Sequence, residues 1–373
     1  MRKVVLLAAL GVVIWLSRSG SPRGGGLVRP EPSRQPQPGG PFYGLAIQVD
    51  TSDQAVQRYG PLIQEVAELG ANTVLLSTAA YQENAGSDLI YIEQRKCPAP
   101  QQWQELFAIA RQHRLRVIFM PILLLAKPRG SEWRGVIQPP DWNDWFEQYR
   151  AMINHFAEIA ARGRVEVFII GSELVSSEKF TDQWLKIIAG VRQRYSGLLA
   201  YSANWDHYRS IKFWDQLDLI GMTTYHKLAD RPGPSLQQLL AAWRPIRKEI
   251  LDWQATIGRP ILFTEVGWCS QEGAAVEPWN YYHHQVATPA GHEEQRRLYE
   301  AFIRTWQDQP AVGGIIWWEW TSYGGGPSCY NYTPRGKPAE KLLRAWFRAR
   351  RQAGPQRIAD RAMPIRPARP GND

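Results

Sequence analysis

Three cysteines in 373 residues are too few to staple a fold, and the odd number leaves at least one unpaired. Cys269 and Cys329 each follow a candidate strand, so neighbouring loops can bring them together, with bonding left open. No apolar run reaches the roughly 20 residues of a membrane-spanning helix; the longest is Val4–Leu16. There is no G-x-S-x-G elbow and no G-x-x-x-x-G-K-[ST] loop, which removes serine-hydrolase and nucleotide-hydrolysing readings. The first strand runs through GLAIQVD without a glycine-rich dinucleotide fingerprint. His283, His284, His292 and Glu293 do not have the spacing of a zinc site, so neither a metal nor another cofactor is expected. Apart from strand–helix alternation there is no internal repeat.

Positive charge is also scarce where it would matter. The formal net charge is +9, but residues 1–40 and 348–373 contribute +5 each, leaving the body at −1. A basic face that tracks phosphates is therefore missing from the folded part, and no nucleic-acid partner is expected.

What is present is a core-forming chain, 44% hydrophobic and 21% charged, with 17 tryptophans. Sixteen of these lie from Trp103 to Trp346, which points to an aromatic core, a cleft with flat apolar faces, or both. Residues 1–19 pair two cations with a 13-residue apolar run, the pattern of an export signal, with an uncleaved signal anchor as the alternative. Residues 20–40 hold five prolines and six glycines and read as a linker; residues 351–373 read as a disordered basic tail. The protein is expected to be exported, whether secreted, periplasmic or held on the outer side of a membrane, and to be a monomer.

Residues 41–350 alternate apolar runs with amphipathic stretches. Strands are expected at Tyr43–Val49, Thr73–Ser77, Val117–Ile122, Val165–Gly171, Leu198–Ser202, Leu217–Thr223, Pro260–Thr264 and Val312–Trp318. Helices are expected at Ala55–Leu69, Gln101–His113, Trp142–Ala161, Phe180–Arg194, Leu236–Gln254, Glu293–Gln307 and Ala339–Arg350, while Tyr208–Asp215 is short for one. Eight βα units in about 300 residues close an α/β fold of the (β/α)8 TIM-barrel type. VEVFIIG and DLIGMTT are near-continuous apolar runs, as strands covered on both faces require.

Active sites of such barrels sit at the C-terminal strand ends. There the chain places Glu173, after IIGS, and Glu265, within ILFTEVGW. By strand alternation Glu173 shares the register of Val165, Val167 and Ile169, and Glu265 that of Ile261 and Phe263, so both are expected to point inward. Two carboxyls at one barrel mouth are the equipment of glycoside cleavage, one to protonate the leaving oxygen and one to attack the anomeric carbon.

GSEL after strand four and TEVGW after strand seven resemble the retaining two-glutamate barrel glycosidases, and within them glycoside hydrolase family 113, the β-mannanase type. YSANW (201–205), LIGMTTYH (219–226) and GGIIWWEW (313–320) extend the likeness over roughly Phe42 to Phe347. The resemblance implies Glu173 as general acid/base, Glu265 as nucleophile, Tyr225 as hydrogen-bond partner of the nucleophile and Trp318 as floor of the attacked sugar's subsite. It implies a β-linked polysaccharide or oligosaccharide substrate, most of all a β-1,4-mannan. Ser172 stands where many relatives have an asparagine that touches the sugar 2-hydroxyl. A barrel that binds sugar without turnover, and a transglycosylase using the same glutamates, are the alternatives.

Several further residues are weighed at the strand ends. Trp205, Trp268 and Trp320 are platforms or rim packing; Asn204 and His226 are candidate sugar contacts. Glu319 has the parity opposite to Trp318 and is expected to face helices or solvent. Asp50, after Gln48, reads as a helix cap. Trp279, Tyr281 and Tyr282 in the segment Cys269–Ala290 are expected to wall the cleft.

Overall fold

The computed structural model describes residues 40–282 and 284–352. The segments expected to be an export signal and a linker before Gly40, together with His283 and the expected tail beyond Gln352, lie outside the described residues. Eight parallel strands close in chain order into a barrel: β1 Phe42–Gln48, β2 Thr73–Gln82, β3 Arg116–Leu125, β4 Val167–Ser172, β5 Leu198–Ala203, β6 Leu219–Thr223, β7 Ile261–Val266 and β8 Val312–Trp317. Around them run α1 Ala55–Glu68, α2 Pro100–Gln112, α3 Trp142–Arg162, α4 Thr181–Arg192, α5 Leu236–Ile257, α6 Pro289–Trp306 and α7 Pro338–Gln352.

The packing explains the tryptophan excess. Inside the barrel a small apolar plug forms, with Leu75, Met120, Ile169, Leu219, Leu262 and Ile316 among its members. Between strands and helices lies a much larger layer, where eight of the tryptophans, Trp103 and Trp317 among them, are fully buried. Burying one large apolar side chain stabilises the fold by about 1.5–3 kcal/mol, so this layer holds most of the barrel together. It is dense with edge-on and tilted ring pairs, such as Phe263–Trp306 at 4.8 Å and Trp103–Phe119 at 4.8 Å.

Departures from the expected elements have local causes. β2 and β3 each run to ten residues and pair in register from Thr73↔Arg116 to Gln82↔Leu125. Ala79 and Ala80 have little strand propensity of their own, and their partners Ile122 and Leu123 on β3 supply the apolar ladder that carries them. α6 starts four residues early because Thr288 caps it, accepting from the Gly291 N–H at 3.0 Å, and Pro289 suits the first turn. Between β5 and β6 the described residues hold only the 3-10 turn Trp214–Gln216, so Tyr208–Asp215 is not a helix. α7 runs past the expected start of the tail, and Arg351 donates to the Ala71 carbonyl at 2.6 Å. Asp50 does not cap α1, whose N-cap is Gln54; instead the Tyr59 hydroxyl donates to it at 2.5 Å.

α5 has the clearest sequence-encoded ends. Ser235 Oγ accepts from the Gln238 N–H at 3.3 Å, Gln238 Oε1 accepts from the Ser235 N–H at 2.8 Å, and Gly258 closes the helix at φ 71°. Ser235→Ala is expected to lower stability by about 1 kcal/mol, read as a shifted denaturant midpoint at unchanged slope.

Candidate active site

Glu173 and Glu265 meet at the C-terminal end of the barrel, though alternation is not what brings them there. Ile261 and Phe263 face the helix layer, while Leu262 fills the barrel interior, so the register assigned to Glu265 is the wrong one. The β7 pairing slips between Phe263 and Val266 towards β8, and the β6 pairing jumps so that Thr223 lies opposite Glu265. That irregularity re-aims the Glu265 side chain, as bulges beside active sites do. β4 carries a second slip, between Ile169 and Ser172. Glu173 then turns out of the strand at φ 54°, with its N–H donating to the Ser202 carbonyl at 2.8 Å.

Both carboxyls are nearly enclosed, Glu173 being 7% and Glu265 4% exposed. Tyr225 donates its hydroxyl to Glu265 Oε2 at 3.0 Å. Arg134 donates to Glu173 Oε2 at 2.6 Å. Burial, and then the charge of Glu173, push the Glu265 carboxyl up to about 7, against the pull of Arg134 and of the Tyr225 hydrogen bond.

Arg134 is the residue that sequence reasoning missed. It opens the short 3-10 turn Arg134–Val136 between β3 and α3, where no strand-end position marks it, and its cation faces both glutamates. It also bears on the expected proton on Glu173, since its guanidinium is held at that carboxyl.

The remaining strand-end residues separate into mouth and core. Trp318 is half-buried on top of the interior plug, its N–H donating to the Val266 carbonyl at 2.8 Å. Trp205 is half-buried and stacks on Trp279 at 5.9 Å and 14°, with the His226 ring 5.0 Å from its own. Burial pushes His226 down to about 4, so it is a neutral imidazole at neutral pH. Asn204 is half-buried and donates to Asp206 Oδ1 at 2.8 Å. Trp268 is 0% exposed and packs on Tyr299 and Phe302, so it is a core residue and no platform. Trp320 is buried on the rim, donating to Glu65 at 2.9 Å. Ser172 is likewise 0% exposed, in register with Ser202 beneath the mouth.

Glu319 overturns its parity. β8 ends at Trp317, so strand alternation no longer governs the Trp318–Glu319 step, whose peptide is cis. Gln48 donates to Glu319 Oε2 at 2.7 Å, and the Glu319 charge acts on Glu265. Burial and Asp50 push Glu319 up to about 7 against the Gln48 bond. Cys269 and Cys329 remain free thiols, and Cys329 Sγ donates to Asn331 Oδ1 at 2.7 Å.

The C-terminal mouth of a (β/α)8 barrel thus holds two enclosed carboxyls, a phenol on one, a guanidinium on the other, and indoles alongside. These features define a glycoside hydrolase of the barrel class. A family model described as Glycoside Hydrolase Family 113 matches residues 52–325, and the chain belongs to that family. A GH113 β-mannanase from Alicyclobacillus acidocaldarius, solved in complex with ManMIm, is 27% identical with TM-score 0.72 over 83% of this chain and 98% of its own. A GH113 β-1,4-mannanase is 25% identical with TM-score 0.74, covering 83% of this chain and 99% of that one. A β-glucuronidase from Ruminococcus gnavus, 14% identical with TM-score 0.52 over 82% of this chain and 49% of its own, shares the fold alone. No curated protein sequence matches the chain.

The raised carboxyl gives a stability test independent of substrate. Because Glu265 sits near 7 when folded and near 4.5 when exposed, the folded state holds its proton longer, and wild-type stability falls as pH rises between those values. Glu265→Gln escapes that loss. Its melting temperature relative to wild type should therefore be higher at pH 8 than at pH 5.

Proposed function

We propose that this glycoside hydrolase cleaves β-1,4-linked mannan or mannooligosaccharides with net retention, through a covalent glycosyl-enzyme. Glu265 attacks the anomeric carbon, and Glu173 first protonates the leaving oxygen and then deprotonates water. The observation that carries this reading is that two enclosed carboxyls act on each other at the barrel mouth, one held by Tyr225 and the other by Arg134.

The pair must place its proton on Glu173 and its charge on Glu265. The Tyr225 hydroxyl favours a charged Glu265, since it donates to that carboxylate. Arg134 engages Oε2 of Glu173, so Oε1 is the oxygen left to carry the proton. In the first step the C–O bond to the leaving sugar breaks as the Glu265–anomeric carbon bond forms, and the Glu173 proton moves to the departing oxygen. In the second, water forms the new C–O bond as the Glu265–anomeric carbon bond breaks, and its proton passes to Glu173, which regenerates both groups. Developing positive charge on the attacked ring is stabilised by Glu265, and Trp318 offers that ring an apolar face.

The mannan assignment is supported by the β-1,4-mannanases among the similar structures. The leaving sugar extends from Glu173 on β4 towards β5 and β6, where Trp205 and Trp279 stack; Trp279 is 46% exposed and offers a platform there. Asn204 and His226 border the same side as hydrogen-bonding groups. Ser172 lies under the surface, so it does not replace an amide contact to the 2-hydroxyl. We further propose that residues 1–19 act as an export signal, so that the activity is exerted outside the cytoplasm. A sugar-binding barrel without turnover is set aside by membership of a hydrolase family; a transglycosylase differs only in the acceptor that takes the second step.

The experiment is digestion of a panel of β-linked polysaccharides with products resolved by chromatography, and the anomer released followed by proton NMR. Mannan cleavage with the β-anomer appearing first is expected; an α-anomer at first release overturns the retaining assignment. Glu265→Ala should lose at least about 10³-fold in kcat while still unfolding in one cooperative transition. Trp279→Ala should raise KM for mannooligosaccharides about tenfold, and the loss should fall more heavily on them than on an aryl mannoside. Oligosaccharides longer than the substrate, formed with an added acceptor, would show the transglycosylase outcome.

A further inference from the structure

Behind the mouth, on the helix side of β4 and β5, lies a carboxyl that the proposed chemistry does not use. Glu178 is 2% exposed, and its Oε2 has no hydrogen-bond partner among the described residues. Its Oε1 accepts from the hydroxyl of Tyr201 at 2.8 Å. That same phenol oxygen accepts from the backbone N–H of Leu174 at 2.9 Å, the residue immediately after Glu173.

We propose that Glu178 and Tyr201 are positioning residues for Glu173: a buried carboxyl–phenol pair grips the Leu174 backbone and so fixes the turn on which the Glu173 carboxyl is presented. The inference rests on Glu173 being the proton donor.

The geometry assigns each group a task. Glu173 has φ 54°, a left-handed conformation that a residue with a side chain rarely adopts unless its surroundings impose it. Two successive residues of β5 impose it here. The Ser202 carbonyl takes the Glu173 N–H at 2.8 Å, and the Tyr201 hydroxyl takes the next N–H along. Tyr201 cannot drift, since its ring is fully buried edge-on against Trp184 at 5.1 Å and Phe213 at 5.5 Å. Having accepted from Leu174, its hydroxyl must send its own hydrogen elsewhere, and Glu178 is the acceptor. The turn is closed from below as well, by Ser177 Oγ donating to the Leu174 carbonyl at 2.7 Å and by Trp184 Nε1 donating to the Ser177 carbonyl at 3.1 Å. Residues 174–178 are therefore tied at both ends to one phenol oxygen.

The acceptor adds no charge behind the active site at neutral pH. Burial, reinforced by the charges of Glu173 and Asp206, pushes Glu178 up to about 8 against the Tyr201 hydrogen bond. A glutamine has the same shape and the same accepting oxygen, and it is always neutral. What the position requires is thus an acceptor at the end of a side chain of that length.

A misplaced acid harms only substrates that need its proton. The test measures kcat/KM on two β-mannosides with the same glycone, one an oligosaccharide with a poor leaving group and one a dinitrophenyl glycoside that departs unprotonated. Tyr201→Phe and Glu178→Leu should each lose about tenfold or more on the oligosaccharide and less than about threefold on the dinitrophenyl glycoside. Glu178→Gln should stay within about threefold of wild type on both. Either disrupting variant carries the test if the other does not fold. Equal losses on the two substrates, no loss on either, or a Glu178→Gln variant as impaired as Glu178→Leu overturns the positioning role. A wild type that cleaves neither substrate overturns the assigned reaction instead, and this inference with it.

Discussion

Two carboxyls enclosed in one small space repel each other, and most of the mouth of this barrel answers that repulsion. Burial alone disfavours both charges, and each makes the other more costly. Arg134 and Tyr225 divide the problem: a full positive charge sits on Glu173, and a neutral hydroxyl sits on Glu265. Unequal partners give the two acids unlike surroundings, with the cation held on the one proposed as donor and only a hydroxyl on the one proposed as nucleophile. Glu319, itself held by Gln48, adds a further negative charge at the edge of the same field.

Regularity gives way where the chemistry sits. Below the mouth the strands pair in order, with side chains alternating between the interior plug and the aromatic layer. At the top, β4 and β7 both lose register, Glu173 turns into the left-handed region, and Glu319 escapes its strand parity. An ideal strand would have turned the Glu265 side chain to the helix layer with Ile261 and Phe263. The regular barrel therefore supplies rigidity, and its irregular rim supplies the aim.

The barrel was legible because strands covered on both faces read as short apolar runs, and helices between them repeat their apolar positions at helical spacing. Strand ends were less so: Ala79 and Ala80 join β2 through the partners they pair with, which no local preference reveals. The two glutamates could be picked out by their place at strand exits, yet the register argument for Glu265 used the wrong face. Trp268 and Trp205 looked equivalent in the chain, and packing separated them, one into the core and one half-buried against Trp279. Arg134 had no signal at all, because a loop arginine becomes part of a site only when the loop folds over it.

The sequence by itself determined the number and order of strands, the apolar faces that close them into a barrel, and the capped ends of helices such as α5, since all of these follow from residues near one another in the chain. Only the tertiary structure decided the company each glutamate keeps. Glu173 reaches Arg134 across 39 positions and Glu265 reaches Tyr225 across 40. Contacts of that kind depend on how loops and slipped strands settle in three dimensions, because a charge is set by what stands within a few ångströms of it and not by its neighbours along the backbone.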